Sequence, residues 1–200
     1  AEEVAKKDIN LRFNTNITAI EKQADGSLLA TLTDGSTVEA DAIMYATGRN
    51  PKVEGLGLEA LGIAQGKNGA IVVNDQFQTN VPSVYAIGDV IDRIQLTPVA
   101  LAEGMALVRN LYGGQDQKVD YDLIATAVFC QPNIGTVGLT EEQARDQYEN
   151  VDVYKSNFRA MKHTLSGSDE KTFMKMLVDR DSDKVLGVHM VGPDAGEIIQ

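Results

Sequence analysis

The stretch Val84–Gly104, VYAIGDVIDRIQLTPVALAEG, constrains this chain more than any other. An apolar, strand-like run breaks off at Gly88-Asp89, and a helix then opens on Thr97-Pro98. Glycine at a strand exit lets a flat ligand or another backbone approach closely. A carboxylate beside it offers an acceptor to hydroxyl groups, and a helix start offers free N–H donors and a partial positive charge. Ligands of open α/β folds lie outside the carboxyl ends of their strands. The spacing therefore predicts a pocket edged by Gly88, Asp89 and the tip of a helix starting at Pro98. A second exit of the same kind follows the short apolar run Ala42–Ala46, which stops at Thr47-Gly48 and continues as Arg49-Asn50-Pro51.

The length of 200 residues allows one or two cores. A formal net charge of −11 argues against nucleic acid and against an anionic membrane surface, because both need clustered Lys and Arg. No apolar run reaches the roughly 18 residues that a bilayer demands. The single cysteine, Cys130, excludes an intrachain disulfide and a CxxC pair, and a reducing, cytoplasmic setting is expected. His163 and His189 are too far apart in sequence for a local metal motif. The chain opens without Met on what reads as the end of a helix, and it stops on GEIIQ, the start of another. Both ends are expected to be cut from something longer.

Along the chain, INLRF, ITAIEK, SLLATLT and STVEA read as strands, with Asp25-Gly26 and Asp34-Gly35 as turns. Ala42–Ala46 reads as a strand buried on both faces. Residues 52–69 read as a short helix and a loop, and AIVVNDQFQTNVPSVYAIGD as two strands around a polar turn. Pro98–Tyr112 is predicted as a helix capped by Thr97, ended by Gly113-Gly114 and largely buried, since most of its faces are apolar. The remainder reads as strand, turn, strand, helix, then a long strand, a hairpin and a helix start. Thr140 and Gln143 are spaced as a capping box. The fold class is α/β followed by an antiparallel-sheet α+β domain. Boundaries are expected near Pro51 and Tyr121, giving segments 1–51, 52–121 and 122–200.

YATGRNP, VYAIGDV and QLTPVALAEG together resemble the flavin disulfide reductases, and within them the glutathione-reducing branch. ATGRNP is similar to that family's ATGRxPN segment, YAIGD to its second flavin motif, and LTPVALAEG to the helix beside the flavin. IGTVGLTEEQA and GVHMVGPDAGEIIQ resemble its dimerisation domain. The resemblance runs over essentially the whole chain. It implies the tail of a Rossmann-type NAD(P)H domain, the later part of an FAD domain and a truncated interface domain, with FAD and NADPH as cofactors. Asp89, beside Gly88, is implied to hold the ribityl or diphosphate part of FAD. Thr97, through its N–H, and Pro98 are implied at the flavin ring, and Gly48, Arg49, Gln95 and Ala127 near the nicotinamide. Glutathione disulfide is the implied substrate and a homodimer through 122–200 the implied assembly.

The family's first dinucleotide fingerprint, its redox cysteine pair and its nucleotide-binding GxGxxG are absent, and its catalytic His-Pro falls past Gln200. Cys130 reads as a small buried residue, His189 as a satisfied strand histidine, and Met174 and Met176 as core or interface filler. Met105 stands where some relatives carry a glutathione-holding Arg. Reductases of trypanothione, thioredoxin or dihydrolipoamide remain open as alternatives. So does a non-catalytic dimerisation fragment. The residues that choose NADPH over NADH lie upstream.

Overall fold

The computed structural model describes residues 1–200 as two compact units, Ala1–Gly48 and Arg49–Gln200. The first unit opens with α1 (Glu2–Ala5) and forms a meander of β1 (Ile17–Lys22), β2 (Leu28–Leu32) and β3 (Thr37–Ala40), in that order and antiparallel throughout. Its turns obey local chemistry. Asp25 Oδ1 accepts the Ser27 N–H at 3.0 Å, and Asp34 Oδ1 accepts the Ser36 N–H at 2.9 Å. Gly26 and Gly35 between them take positive φ, 95° and 80°. The Ser27 and Ser36 donors hold both carboxyls below the usual aspartate range.

Two expected strands of this unit are not formed. Ile9–Phe13 is irregular and mostly exposed. Ala42–Ala46 belongs to no strand or bridge, with Met44 87% exposed. A strand buried on both faces needs a neighbouring strand to pair with and layers covering it above and below, and the sheet of this unit holds β1, β2 and β3 alone.

The second unit starts with a region low in regular structure. The short helix expected within 52–69 is a series of turns, because Gly55, Gly57 and Gly62 adopt φ of 78°, 68° and 65°. The two strands expected between Ala70 and Asp89 reduce to single bridges, Gln65–Ile71 and Gln78–Tyr85. The hairpin is nevertheless present: Thr79 N–H donates to Val84 O at 2.9 Å, and Ala86 N–H to Phe77 O at 3.0 Å. Leu58, Ile63, Ile71, Phe77, Ala86, Ile91 and Ala106 make one core.

Ala106 comes from α2 (Thr97–Gly113), which Gly114 ends in the left-handed conformation. Two expectations for α2 change. Thr97 is its first residue rather than its cap; the cap is Leu96, extended, whose carbonyl accepts from the Val99 and Ala100 N–H groups. Nor is the helix largely buried. Only Val99, Glu103 and Ala106 are, whereas Leu101, Met105, Val108, Leu111 and Tyr112 are exposed.

The last third matches the expected order. β4 (Thr126–Val128), β5 (Ile134–Gly138), β6 (Val151–Arg159), β7 (Lys171–Asp179) and β8 (Lys184–Val191) form one antiparallel sheet in the order β4-β5-β8-β7-β6. α3 (Glu141–Gln147) opens on the capping box, both of whose bonds are made by Thr140 and Gln143. α4 (His163–Ser166), which the sequence did not suggest, follows β6, and α5 (Ala195–Ile199) packs on β5. Ala144, Leu177 and Leu186 are the core beneath α3. The helices and antiparallel sheets bear out the α+β class.

Glu141 ties α3 to the sheet. It meets Lys175 at 2.6 Å, Arg145 at 2.8 Å and Lys155 at 3.9 Å. The Lys175 and then the Arg145 hydrogen bonds pull its carboxyl from the ordinary 4.5 to about 2. A lowered pKa stabilises the fold above the unfolded value and is lost as pH falls toward the folded one. Glu141→Gln is therefore expected to lower the thermal midpoint above pH 4.5, with wild type and variant converging by about pH 2. Melting curves across that range check it; a constant offset would contradict it.

Candidate functional site

Within Val84–Gly104 a short turn at Gly88-Asp89 is followed by the helix α2. Gly88–Ile91 is a single 3-10 turn that packs on α2. Gly88 holds φ at +73°, and a Cβ there would stand 3.2 Å from the Ala100 Cβ. Glycine is thus required twice, by backbone conformation and by the close approach of the helix. One turn further along α2, Gly104 leaves room for Ile87, whose Cδ1 lies 3.4 Å from the position of a Cβ.

Asp89 leaves the turn with its side chain 51% exposed, and the guanidinium of Arg49 lies 3.6 Å from its Oδ2. An exposed pair of this kind contributes at most about 1 kcal/mol, so the carboxylate remains an available acceptor. At the tip of α2, the Val99 and Ala100 N–H groups are used by Leu96 O, and Pro98 has none. No hydrogen bond of the structure uses the Thr97 N–H, and no side chain caps the helix. That leaves a donor and a helix dipole at the surface of the unit.

The other expected positions are more scattered. Gln95 precedes α2, and its amide donates to Asp92 Oδ1 at 2.7 Å. Ala127 lies in β4 and packs against Gly196, not against the turn. Gly48 closes the first unit with φ of 111°, and Arg49 opens the second. Cys130 is only partly buried, a correction to its expected burial, because it lies in the loop joining β4 and β5. Its Sγ is 3.1 Å from Pro132 O. His189 is satisfied as expected, within 2.9 Å of Leu139 O. Met174 is partly buried and Met176 37% exposed, both on β7. No group of His, Cys, Asp and Glu is arranged to hold a metal. No helix is long and apolar enough to cross a membrane.

Sequence reasoning missed Glu103. It is 1% exposed, on the inner face of α2 between Val99 and Ala106. Its Oε2 accepts the Gly88 N–H at 2.6 Å and its Oε1 accepts the Tyr121 O–H at 2.7 Å. Arg93 Nη1 donates to the same Tyr121 oxygen at 3.2 Å, and Nη2 to Asn74 O at 3.0 Å. The Arg93 guanidinium lies 5.6 Å from the centre of the Phe77 ring and 5.4 Å from that of Tyr121. Burial, and then the hydrogen bond to Glu103, raise the Tyr121 phenol above its usual range. The signal was legible: an acid at i+4 from Val99 and i−3 from Ala106 lies in the buried stripe.

Residues 1–104 match the family described as pyridine nucleotide-disulphide oxidoreductase, and residues 124–200 match its dimerisation domain. A glutathione reductase of Burkholderia cepacia is 46% identical over 199 residues, covering 100% of this chain and 44% of that protein. The chloroplastic/mitochondrial glutathione reductase of Pisum sativum is 51% identical over 91% of this chain and 33% of its own length. A trypanothione reductase of Trypanosoma congolense is 44% identical over 96% of this chain and 39% of its own. The chain thus spans less than half the length of these relatives. By a match over more than half its residues, it belongs to the pyridine nucleotide-disulphide oxidoreductase family.

Proposed function

We propose that this chain is the later part of a flavoprotein disulfide reductase that uses NADPH and FAD to reduce glutathione disulfide. The observation that carries the reading is the Gly88–Asp89 turn packed on α2, a helix that opens on an unused Thr97 N–H. These residues fit the group. Asp89 offers acceptors to the ribityl hydroxyls, and Gly88 brings the backbone close without a side chain. The Thr97 N–H and the helix dipole favour negative charge on the pyrimidine end of the ring, by about 0.3–1 kcal/mol if exposed. When bound, FAD supplies the means of taking a hydride from NADPH and passing an electron pair to a disulfide. The protein's part is to orient that group and bias its charge.

In this reading 1–51 closes the NAD(P)H domain, 52–121 belongs to the FAD domain and 122–200 to a homodimer interface. Gly48, Arg49, Gln95 and Ala127 are assigned to the nicotinamide side from the resemblance of their sequence segments alone. Cys130 stands alone, so these 200 residues hold no redox cysteine pair, and the chain by itself is expected to be inactive. A free thiol and no disulfide suit the cytoplasm. The trypanothione reading is kept by two relatives at 44% identity and by Met105, which is exposed on α2.

Two measurements decide. The full-length protein should show a flavin spectrum and oxidise NADPH faster with glutathione disulfide than with trypanothione disulfide. The reverse order would move it to the other branch, and absence of flavin would end the reading. Asp89→Ala should weaken FAD binding by about 10- to 100-fold, the value of a charge-assisted hydrogen bond. Titrating the apoprotein with FAD by fluorescence measures it.

A further inference from the structure

We propose that Glu103 is a positioning residue for the cofactor: its buried carboxylate clamps both ends of the Gly88–Arg93 segment, and so sets the direction in which Asp89 leaves the turn. The proposal rests on the flavin reading for what Asp89 holds. What Glu103 does to the segment stands on geometry alone.

A buried carboxylate is expensive unless every lone pair is used. The other inward residues of α2, Val99 and Ala106, are apolar, so an apolar side chain at 103 would pack the helix without that cost. The acid serves a polar task instead. One oxygen receives the Gly88 N–H at 2.6 Å, fixing the Ile87–Gly88 peptide plane from which the turn toward Asp89 starts. The other receives Tyr121 O–H at 2.7 Å, and the same phenol oxygen takes the Arg93 guanidinium at 3.2 Å. Gly88 is held directly and Arg93 through one phenol, so one carboxylate governs both ends of the segment. The Arg93 charge balances that of Glu103, and its stacking over Phe77 and Tyr121 keeps it in place.

Gly88 has no side chain with which to resist rotation, and it already sits at φ of +73°. Without an acceptor, its part-buried N–H would turn toward water and carry Asp89 with it.

The test uses the full-length protein in its apo form with four variants. Hydrogen–deuterium exchange of the peptide spanning the turn is read without FAD, and FAD affinity is read by fluorescence titration. Glu103→Leu is expected to speed exchange across the turn and to weaken FAD binding by about tenfold or more, the scale of one lost charge-assisted bond. Glu103→Gln keeps an acceptor for Gly88 and a donor for the Tyr121 oxygen, so it should bind within about threefold of wild type. Tyr121→Phe should loosen the Arg93 end and leave the Gly88 end protected. Val99→Ala, which removes apolar volume from the same helix face, should lower the melting temperature and leave affinity unchanged.

Unchanged exchange in Glu103→Leu overturns the proposal. So does a loss of affinity in Val99→Ala equal to that in Glu103→Leu, because packing of α2 would then explain both. Should the Leu variant not fold, Glu103→Asp keeps the charge but falls one methylene short of Gly88, and fast exchange is again expected. If wild type takes up no FAD, the flavin reading fails by itself, and the exchange comparison still decides whether Glu103 holds the turn.

Discussion

Phe77→Ala is expected to cost the second unit about 3–5 kcal/mol, the range for removing a fully buried aromatic ring. Phe77 is 0% exposed and central to the core that joins Leu58, Ile63, Ile71 and Ala106 beneath the Gly88 turn. It also carries the ring against which Arg93 stacks, so its loss frees one anchor of the Glu103 network. The position has an unusual backbone. Phe77 takes φ of 63°, in the left-handed region, which costs a non-glycine residue about 1–2 kcal/mol. Phe77→Gly loses the same ring but relieves that strain. It should therefore be no worse than Phe77→Ala, the opposite of the order at an ordinary extended position. Urea unfolding followed by circular dichroism measures both; Gly clearly worse than Ala would contradict the account.

The second large effect is expected in the sheet. Gly187 in β8 pairs with Gly138 of β5 on one side and Leu177 of β7 on the other. A Cβ at 187 would lie 2.2 Å from Leu139 O and 3.1 Å from Leu139 N. Both are backbone atoms, so no rotamer change relieves the clash. That carbonyl also receives His189 Nε2 at 2.9 Å, and the Leu139 N–H donates to Leu186 O at 2.9 Å. Gly187→Ala must push the Leu139 peptide away from both. Overpacking typically costs 1–3 kcal/mol, and with the hydrogen bonds added a loss of about 3 kcal/mol is expected. The displaced peptide leads into α3, so the Thr140–Gln143 cap should loosen as well. Exchange protection of α3, compared between wild type and Gly187→Ala, checks the site of damage. An alanine at Gly167 is the useful contrast. It also has positive φ, 71°, but open space around it, so only the backbone strain applies.

The order of elements in the last third was readable because each signal was local. The Thr140–Gln143 box, the alternation of KTFMKMLVD and the polar turn between Asp179 and Lys184 depend on neighbours a few residues away. The Asp-Gly turns of the meander are legible for the same reason. The same holds for the left-handed end of α2 at Gly114. Gly88 and Asp89 could be singled out because a strand exit, a glycine and a helix start fall within one short stretch.

What the chain written as letters could not decide was everything set by partners distant in sequence. Ala42–Ala46 has the composition of a buried strand, yet a strand exists only where another offers its edge. The apolar surface of α2 could be counted but not assigned, since burial depends on what packs there, and only the Val99–Glu103–Ala106 stripe found a core. Glu103 shows the difference most clearly. Its position in that stripe was visible, but an acid survives burial only when donors converge on it. Those donors come from Gly88, fifteen residues before it, and from Tyr121, eighteen residues after it. Local backbone chemistry wrote the turns, caps and strand order; the folding of separate segments onto one carboxylate fixed the Gly88 turn.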